Sequence, residues 1–351
     1  MLLSDREFVM KFQQLTGPVM AKGIEDTAFY NYNRLLSLNE VGGSPEKFGI
    51  SIEEFHRYNI EKQKRWPHSL LATATHDTKR GEDLRARLNV LSEMPNEWGE
   101  IVNRWKQPGD APTANDQYML YQTLLGAWDG QREGFAERIC AFMTKAMREA
   151  KAQTSWTDPN EDYENATLDF VKRLLANTRW WSEFEPFQSR VAFFGRHNSL
   201  SQLLLKMTCP GVPDFYQGTE SWDFNLVDPD NRRPVDYRAH RDNSKLFILQ
   251  KIMQFRNRFA NGEYVPIGST GEKSRHVCAF ARDRKVVVVA PRLICGLPGG
   301  KQIAPTGAIW GDTALETDTK GFENVFTGER VASNWLADIL KTFPIALLAR
   351  M

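Results

Sequence analysis

Four ionisable side chains, His76, Asp77, Lys79 and Arg80, end the stretch Thr73-Ala74-Thr75-His76-Asp77-Thr78-Lys79-Arg80, directly after the apolar run Leu70-Leu71-Ala72. An aspartate beside a histidine, with a lysine two residues on, can converge on one pocket and hold hydroxyl groups. Chemistry at a glycosidic bond needs a pair of carboxylates, one a nucleophile or base and the other an acid of raised pKa. A further aspartate that hydrogen-bonds ring hydroxyls can keep the ring distorted, and a neighbouring histidine can serve another hydroxyl. His76 and Asp77 suit that supporting role, although their spacing leaves a plain solvated loop equally open.

The elements that would position them follow from the pattern on either side. Leu70 to Thr75 reads as a strand buried on both faces, as parallel-sheet strands are, with the polar cluster at its C-terminal end. In alternating strand and helix barrels that end carries the catalytic side chains. If the extended conformation persists, Asp77 and Lys79 share one side. Upstream, "SDRE" has capping-box spacing, with Ser4 as N-cap, and predicts a helix to Gln14 or Leu15 that "TGP" ends. In "VMAKGIEDTAFYNYNRL", Lys22, Glu25 and Asp26 lie among apolar residues, where charges are paired or functional. "NEVGGSPEKFG" is a loop, and "SIEEFHRYNIEKQKRW" is a helix.

From Glu82 to about Ser182 one helical stripe follows another: Leu84, Leu88 and Leu91, then Trp98, Ile101, Val102 and Trp105, then Phe135, Ile139, Phe142 and Ala146. His197 and Asn198 read as the capped start of a further helix that "CPG" stops. "VPDFYQGTE" is a short strand ending in polar residues, and "DPDNRR" is a loop in which carboxylates and guanidinium forks lock together. Lys245 to Phe259 is helical. The remainder is β-rich, with strands expected in "HVCAFARDRKVVVVAPRL", "GAIWGDTAL", "FENVFTGERV" and "IALLARM".

The 351 residues allow one large domain or two to three smaller ones, and 45 Lys and Arg balance 44 Asp and Glu. That balance argues against nucleic acid or membrane as a default partner. The ten tryptophans are read mainly as core, with weak support for sugar stacking. Cys140, Cys209, Cys278 and Cys295 are scattered without zinc-site spacing. No metal or cofactor is expected, no export signal or membrane span is read, and a reduced, cytoplasmic setting follows.

Taken in order, "AKGIEDTAFYNYNRLLSLNEVGG", "THDTKRGEDLRARL", "NSLSQLLLKMTCPGVPDFYQGTE" and "LVDPDNRRPVDY" resemble the maltooligosyl trehalose synthases of the α-amylase family. The likeness runs from about residue 8 to about residue 260, and more weakly through the tail. It implies an α/β fold: the C-terminal part of a (β/α)8 TIM barrel (1–81 and 191–265) with a helical insertion (82–190), followed by a small antiparallel β domain (266–351). Asp77 would be the transition-state-stabilising carboxylate with His76 beside it. Lys22 and Lys79 would grip a captive glucose, with Phe29, Tyr30 and Tyr32 as its wall and Glu25 and Asp26 as further substrate-binding residues. For each lysine, a salt bridge to Glu25, Asp26 or Asp77 is the competing reading.

The family's nucleophilic aspartate and acid/base glutamate are not found here. The resemblance therefore implies a maltooligosaccharide substrate, a missing N-terminal half of the barrel as partner, and no activity of the chain alone. The rival expectation is a non-catalytic α-glucan-binding or interaction protein.

Overall fold

Asp5 opens the first helix, its carboxylate accepting from the backbone N–H groups of Glu7 and Phe8 at 3.1 Å each. The cap expected at Ser4 lies outside the described residues. The computed structural model describes residues 5–350 apart from 110, 236 and 238–243. Helix α1 (Arg6–Pro18) does not stop at "TGP". It passes into a π-helical turn over Val19–Glu25, directly after Pro18, which has no N–H to continue the i→i−4 ladder. Such wide turns recur at functional sites.

After α2 (Ile52–Arg65), capped by Ser51, the first strand β1 is only Leu70–Ala72. A run of helices separates it from its partner: α3 (Glu82–Asn89), α4 (Pro95–Trp105), α5 (Ala114–Ala127), α6 (Phe135–Ala150), α7 (Glu161–Ala176) and α8 (Thr178–Thr208). Strand β2 (Val212–Asp214) then pairs with β1 in parallel, Leu70 opposite Val212 and Ala72 opposite Asp214. Gly211, at φ +129°, directly precedes β2 at a point where a Cβ would lie 2.7 Å from Leu71 and 2.8 Å from the Ser69 carbonyl, so glycine is required.

The expectation of a strand buried on both faces is corrected. Leu70 is 70% and Val212 41% exposed, because β1 and β2 form a two-stranded sheet with no third strand beside them among the described residues. Pro213 is tolerated for the same reason, since its missing N–H faces no ladder.

The α3–α7 stripes close on a core rich in aromatic rings. Trp105, Trp128, Trp180, Trp181 and Phe184 pack with centroids as close as 4.5 Å, so these tryptophans are structural. Helix α8 is continuous through Gly195. A Cβ there would stand 2.7 Å from the Arg87 Cα, so glycine lets α3 lie against α8. His197 and Asn198 are thus inside a helix and not at its start, a second correction: His197 Nδ1 is paired with the Phe193 carbonyl at 2.8 Å and Asn198 donates to the Ala86 carbonyl at 3.2 Å. The expected boundary at 190 falls within this helix.

Helix α9 (Ser244–Phe255) leads into an antiparallel region of strands β3 (Tyr264–Ile267), β4 (Ser269–Thr270), β5 (Val277–Arg282), β6 (Val286–Pro291), β7 (Ala314–Leu315) and β8 (Glu323–Asn324). Helix α10 (Leu336–Ile339) and β9 (Ala346–Ala349) complete it. The main sheet runs β3-β5-β6-β9-β8. One face shares a core with Leu200, Leu204 and Met207 of α8 and Ile248 and Ile252 of α9. The other is covered by Trp310, Leu336 and Leu340.

Candidate active site

The polar loop after β1 turns where the sequence suggests an extended run. Thr78 N–H returns to the Thr75 carbonyl at 3.4 Å, and Asp77 N–H meets Thr75 Oγ1 at 3.2 Å. Asp77 and Lys79 therefore do not share a side. His76 and Asp77 are exposed, whereas Lys79 and Arg80 point inward.

Lys79 is drawn in by charge. Its Nζ donates to Asp26 Oδ1 at 2.5 Å, and Lys22 Nζ donates to Asp26 Oδ2 at the same distance. The two lysines share one carboxylate, supplied by the end of the π-helical turn. Burial pushes the Asp26 carboxyl up, but the hydrogen bonds from Lys22 and Lys79 outweigh it and hold the group below its usual range. Glu25, the other sequence candidate, instead accepts from Gly42 N–H at 3.0 Å.

Tyr30 lies under Lys79, its ring centroid 6.0 Å from Nζ, and is almost completely buried. Burial drives its phenol well above the ordinary value. It is a floor to the site, while Tyr32 is 45% exposed at the rim. Arg80 is fully buried above the Phe142 ring, and its Nε and Nη2, like the Tyr30 hydroxyl, meet no partner among the described residues.

Residues the sequence reading missed hold this loop in place. Glu40, from the segment read only as a loop, accepts from the backbone N–H of Lys79 at 2.7 Å and of Arg80 at 3.2 Å. Glu82 and Asp83 begin α3 and bind the buried Lys245 at 2.7 and 2.8 Å. Lys206 reaches Thr73 Oγ1 at 2.9 Å. Burial alone would lower the Lys245 ammonium; the charges of Asp83 and Glu82 reverse this and hold it well above its ordinary value. The signal was present in Lys206, a lone charge in the apolar run "LLLKM".

The "DPDNRR" loop is a clamp. Arg138 of α6 grips Asp230, its Nε 3.0 Å from both carboxylate oxygens. Lys145 binds Asp228 at 2.7 Å. The Asn231 amide donates to the His76 carbonyl at 3.1 Å, which fixes the His76-Asp77 turn from below. Tyr216 donates to the Asn231 carbonyl at 3.1 Å, and so supports the clamp. The helices between β1 and β2 thus set the loop positions at the strand ends. Chemically, the surface offers an exposed carboxylate, an imidazole and the Lys22 ammonium, while the Lys79 ammonium is buried against the shared acid. Among the described residues no group of three or more His, Cys, Asp or Glu side chains is placed to hold a metal, and no helix is long and apolar enough to cross a membrane.

Parallel strands ending in a charged loop cluster, packed helices and an appended antiparallel sheet define a mixed α/β protein with its candidate site at the strand ends. No family model matches the chain. A Mycobacterium tuberculosis (strain CDC 1551 / Oshkosh) protein that carries the name maltooligosyl trehalose synthase is 35% identical over 358 residues, covering 98% of this chain and 46% of its own length. The solved maltooligosyltrehalose synthase of Arthrobacter ramosus matches with a TM-score of 0.87 at 34% identity, over 98% of this chain and 47% of that one. A hypothetical maltooligosyl trehalose synthase of Sulfolobus tokodaii gives 0.83 at 33%, over 99% and 48%. The chain belongs to the maltooligosyl trehalose synthase family, as the counterpart of a C-terminal portion, and spans about half the length of the relatives it matches.

Proposed function

We propose that this chain is one part of an enzyme that moves the terminal α-1,4 bond of a maltooligosaccharide to an α,α-1,1 bond, and that it is inactive alone. The arrangement that carries the reading is the Lys22-Asp26-Lys79 network beside exposed Asp77 at the end of a parallel strand pair, in a chain 35% identical to a protein bearing that name. The strand pair is read as the last two strands of a (β/α)8 barrel. The exposure of Leu70 and Val212 supports this, since neighbouring strands of a closed barrel would cover them. A preceding half of the barrel is the partner. The four free thiols fit a reducing, cytoplasmic setting.

In this reading the partner half supplies a nucleophilic carboxylate and an acid. The acid protonates the glycosidic oxygen as the nucleophile takes the anomeric carbon, and the ring passes through an oxocarbenium-like state. Asp77, with His76, accepts and donates hydrogen bonds to ring hydroxyls and steadies that state. The released glucose stays against Lys22 and the Tyr32 rim, while buried Lys79 holds Asp26 in place beneath them. The glucose turns, and its anomeric hydroxyl displaces the enzyme carboxylate as its proton passes to the base. Water kept from the site prevents hydrolysis.

The test is conversion of maltopentaose to a non-reducing product. The purified chain alone is expected to give none, and addition of a polypeptide matching the half of the relatives that this chain does not cover is expected to restore conversion. Full activity of the chain by itself overturns the proposal. Tight maltooligosaccharide binding with no restoration would instead mark a binding protein.

A further inference from the structure

A cavity of about 280 Å³ lies between α3, α8 and the loop after β2. Two buried polar atoms on residues that line it have no partner among the described residues. Asp83 commits Oδ2 to Lys245 Nζ at 2.8 Å and to Asp223 N–H at 2.7 Å, while its Oδ1 meets nothing among the described residues. Ser199 Oγ, from α8, is likewise unpaired, and both residues are only 1% exposed. A buried polar atom without a partner costs free energy, and one left so beside an open space calls for an occupant.

The rest of the lining restricts that occupant. Arg196 lies over one face of Trp222 at 5.0 Å, and Arg87 lies over Phe224 at 3.5 Å. The guanidinium groups disfavour a cation, and the Asp83 carboxylate disfavours an anion. A neutral ligand that both donates and accepts satisfies Asp83 Oδ1 and Ser199 Oγ together. Indole and phenyl rings favour C–H faces over further polar groups. The volume stands just below the roughly 300–1,000 Å³ of sites for larger small molecules, which fits a single ring.

We infer that this cavity is a binding site for one neutral polyhydroxylated ring of hexose size, separate from the loop cluster that carries Asp77. D-glucose is the probe, titrated calorimetrically into the whole chain. One saturable site is expected. Ser199→Ala, which removes one hydroxyl partner, should weaken binding by roughly two- to tenfold, as befits a neutral hydrogen bond. Ala192→Trp, which fills the cavity from α8, should abolish binding, with far-ultraviolet dichroism and melting as controls for folding. Asp77→Asn should leave binding unchanged, so loss of the proposed glycosyl chemistry and loss of this site are read separately. Absence of saturable glucose binding overturns the inference. So does binding that survives Ala192→Trp in a folded variant but is lost in Asp77→Asn, or inorganic phosphate binding in place of glucose.

Discussion

Lys79 Nζ lies 2.5 Å from Asp26 Oδ1, across 53 residues of sequence. The contact joins the strand-end loop to the π-helical turn and leaves the lysine side chain 4% exposed. Lys22, at the other carboxylate oxygen, is 73% exposed. One acid thus serves one buried and one solvated cation, and these should behave differently.

Removing the acid should expose that difference. Asp26→Ala leaves Lys79 buried and unpaired and is expected to cost about 3 kcal/mol, whereas Lys22→Ala should cost less than about 1 kcal/mol. Urea unfolding measures both. The Asp26 carboxyl is held below its usual value, so its contribution is fully present above about pH 4, the unfolded carboxyl range, and is lost as pH falls through the folded value. The gap between Asp26→Ala and the parent should therefore close in acid; equal losses for the two variants at neutral pH would contradict the shared-acid account.

Asp223 works in the opposite sense. Burial first, and then the neighbouring Asp83 charge, push its carboxyl up to about 6, against a lowering hydrogen bond from Asn225. The folded chain therefore holds this proton when the unfolded chain has released it. Its own contribution to stability should be greatest below about pH 4, fall as pH rises to about 6, and level off above, by about 3 kcal/mol in all. Asp223→Asn should flatten that descent in unfolding curves taken at several pH values.

Two glycines in helices should respond with opposite signs. Gly195→Ala places a methyl 2.6 Å from the Arg87 Cγ, and overpacking of this kind costs roughly 1–3 kcal/mol. Gly99, in α4, has nothing within 4 Å of a built Cβ, so Gly99→Ala should stabilise by up to about 1 kcal/mol. Thermal melts of the two variants decide whether the α3–α8 approach is as close as the geometry requires.

For the proposed chemistry, Asp77→Asn in the chain recombined with its complementary half should lower kcat by about 10²–10³, the range for loss of one transition-state-stabilising group. KM should change far less. A variant with unchanged kcat would remove Asp77 from the reaction.

Much of the architecture was legible because it rests on periodicity. The stripes Leu84-Leu88 and Phe135-Ile139-Phe142 are buried as their spacing required, and "VVVV" in β6 could only be a strand. Asp26 was legible as an embedded charge and as one of three acids open to each lysine, and it takes both; which acid won was not legible, since that depends on the backbone turning at Thr75. The segment "GRHNS" reads as a break because glycine and asparagine are local turn signals; the tertiary need for a close α3–α8 contact overrides them. Glu40 gave no signal at all. Its role is to accept backbone N–H groups about 40 residues away, and a single acid in a glycine-rich loop does not announce its acceptors. The strand pair looked fully buried from its letters because apolar composition records what a segment can be covered by, not what covers it.

Helix α8 begins among the tryptophans, with Trp181 and Phe184, and ends in the sheet's core, with Leu204 and Met207. It is a single rod set in two separate hydrophobic masses. A recombination breakpoint placed near residue 190 would cut that rod and strand half an apolar surface on each product. Exchange of this insertion between relatives therefore has to take the whole of α8 with it, and the sheet that α8 supports inherits whatever helical cargo the front end carries.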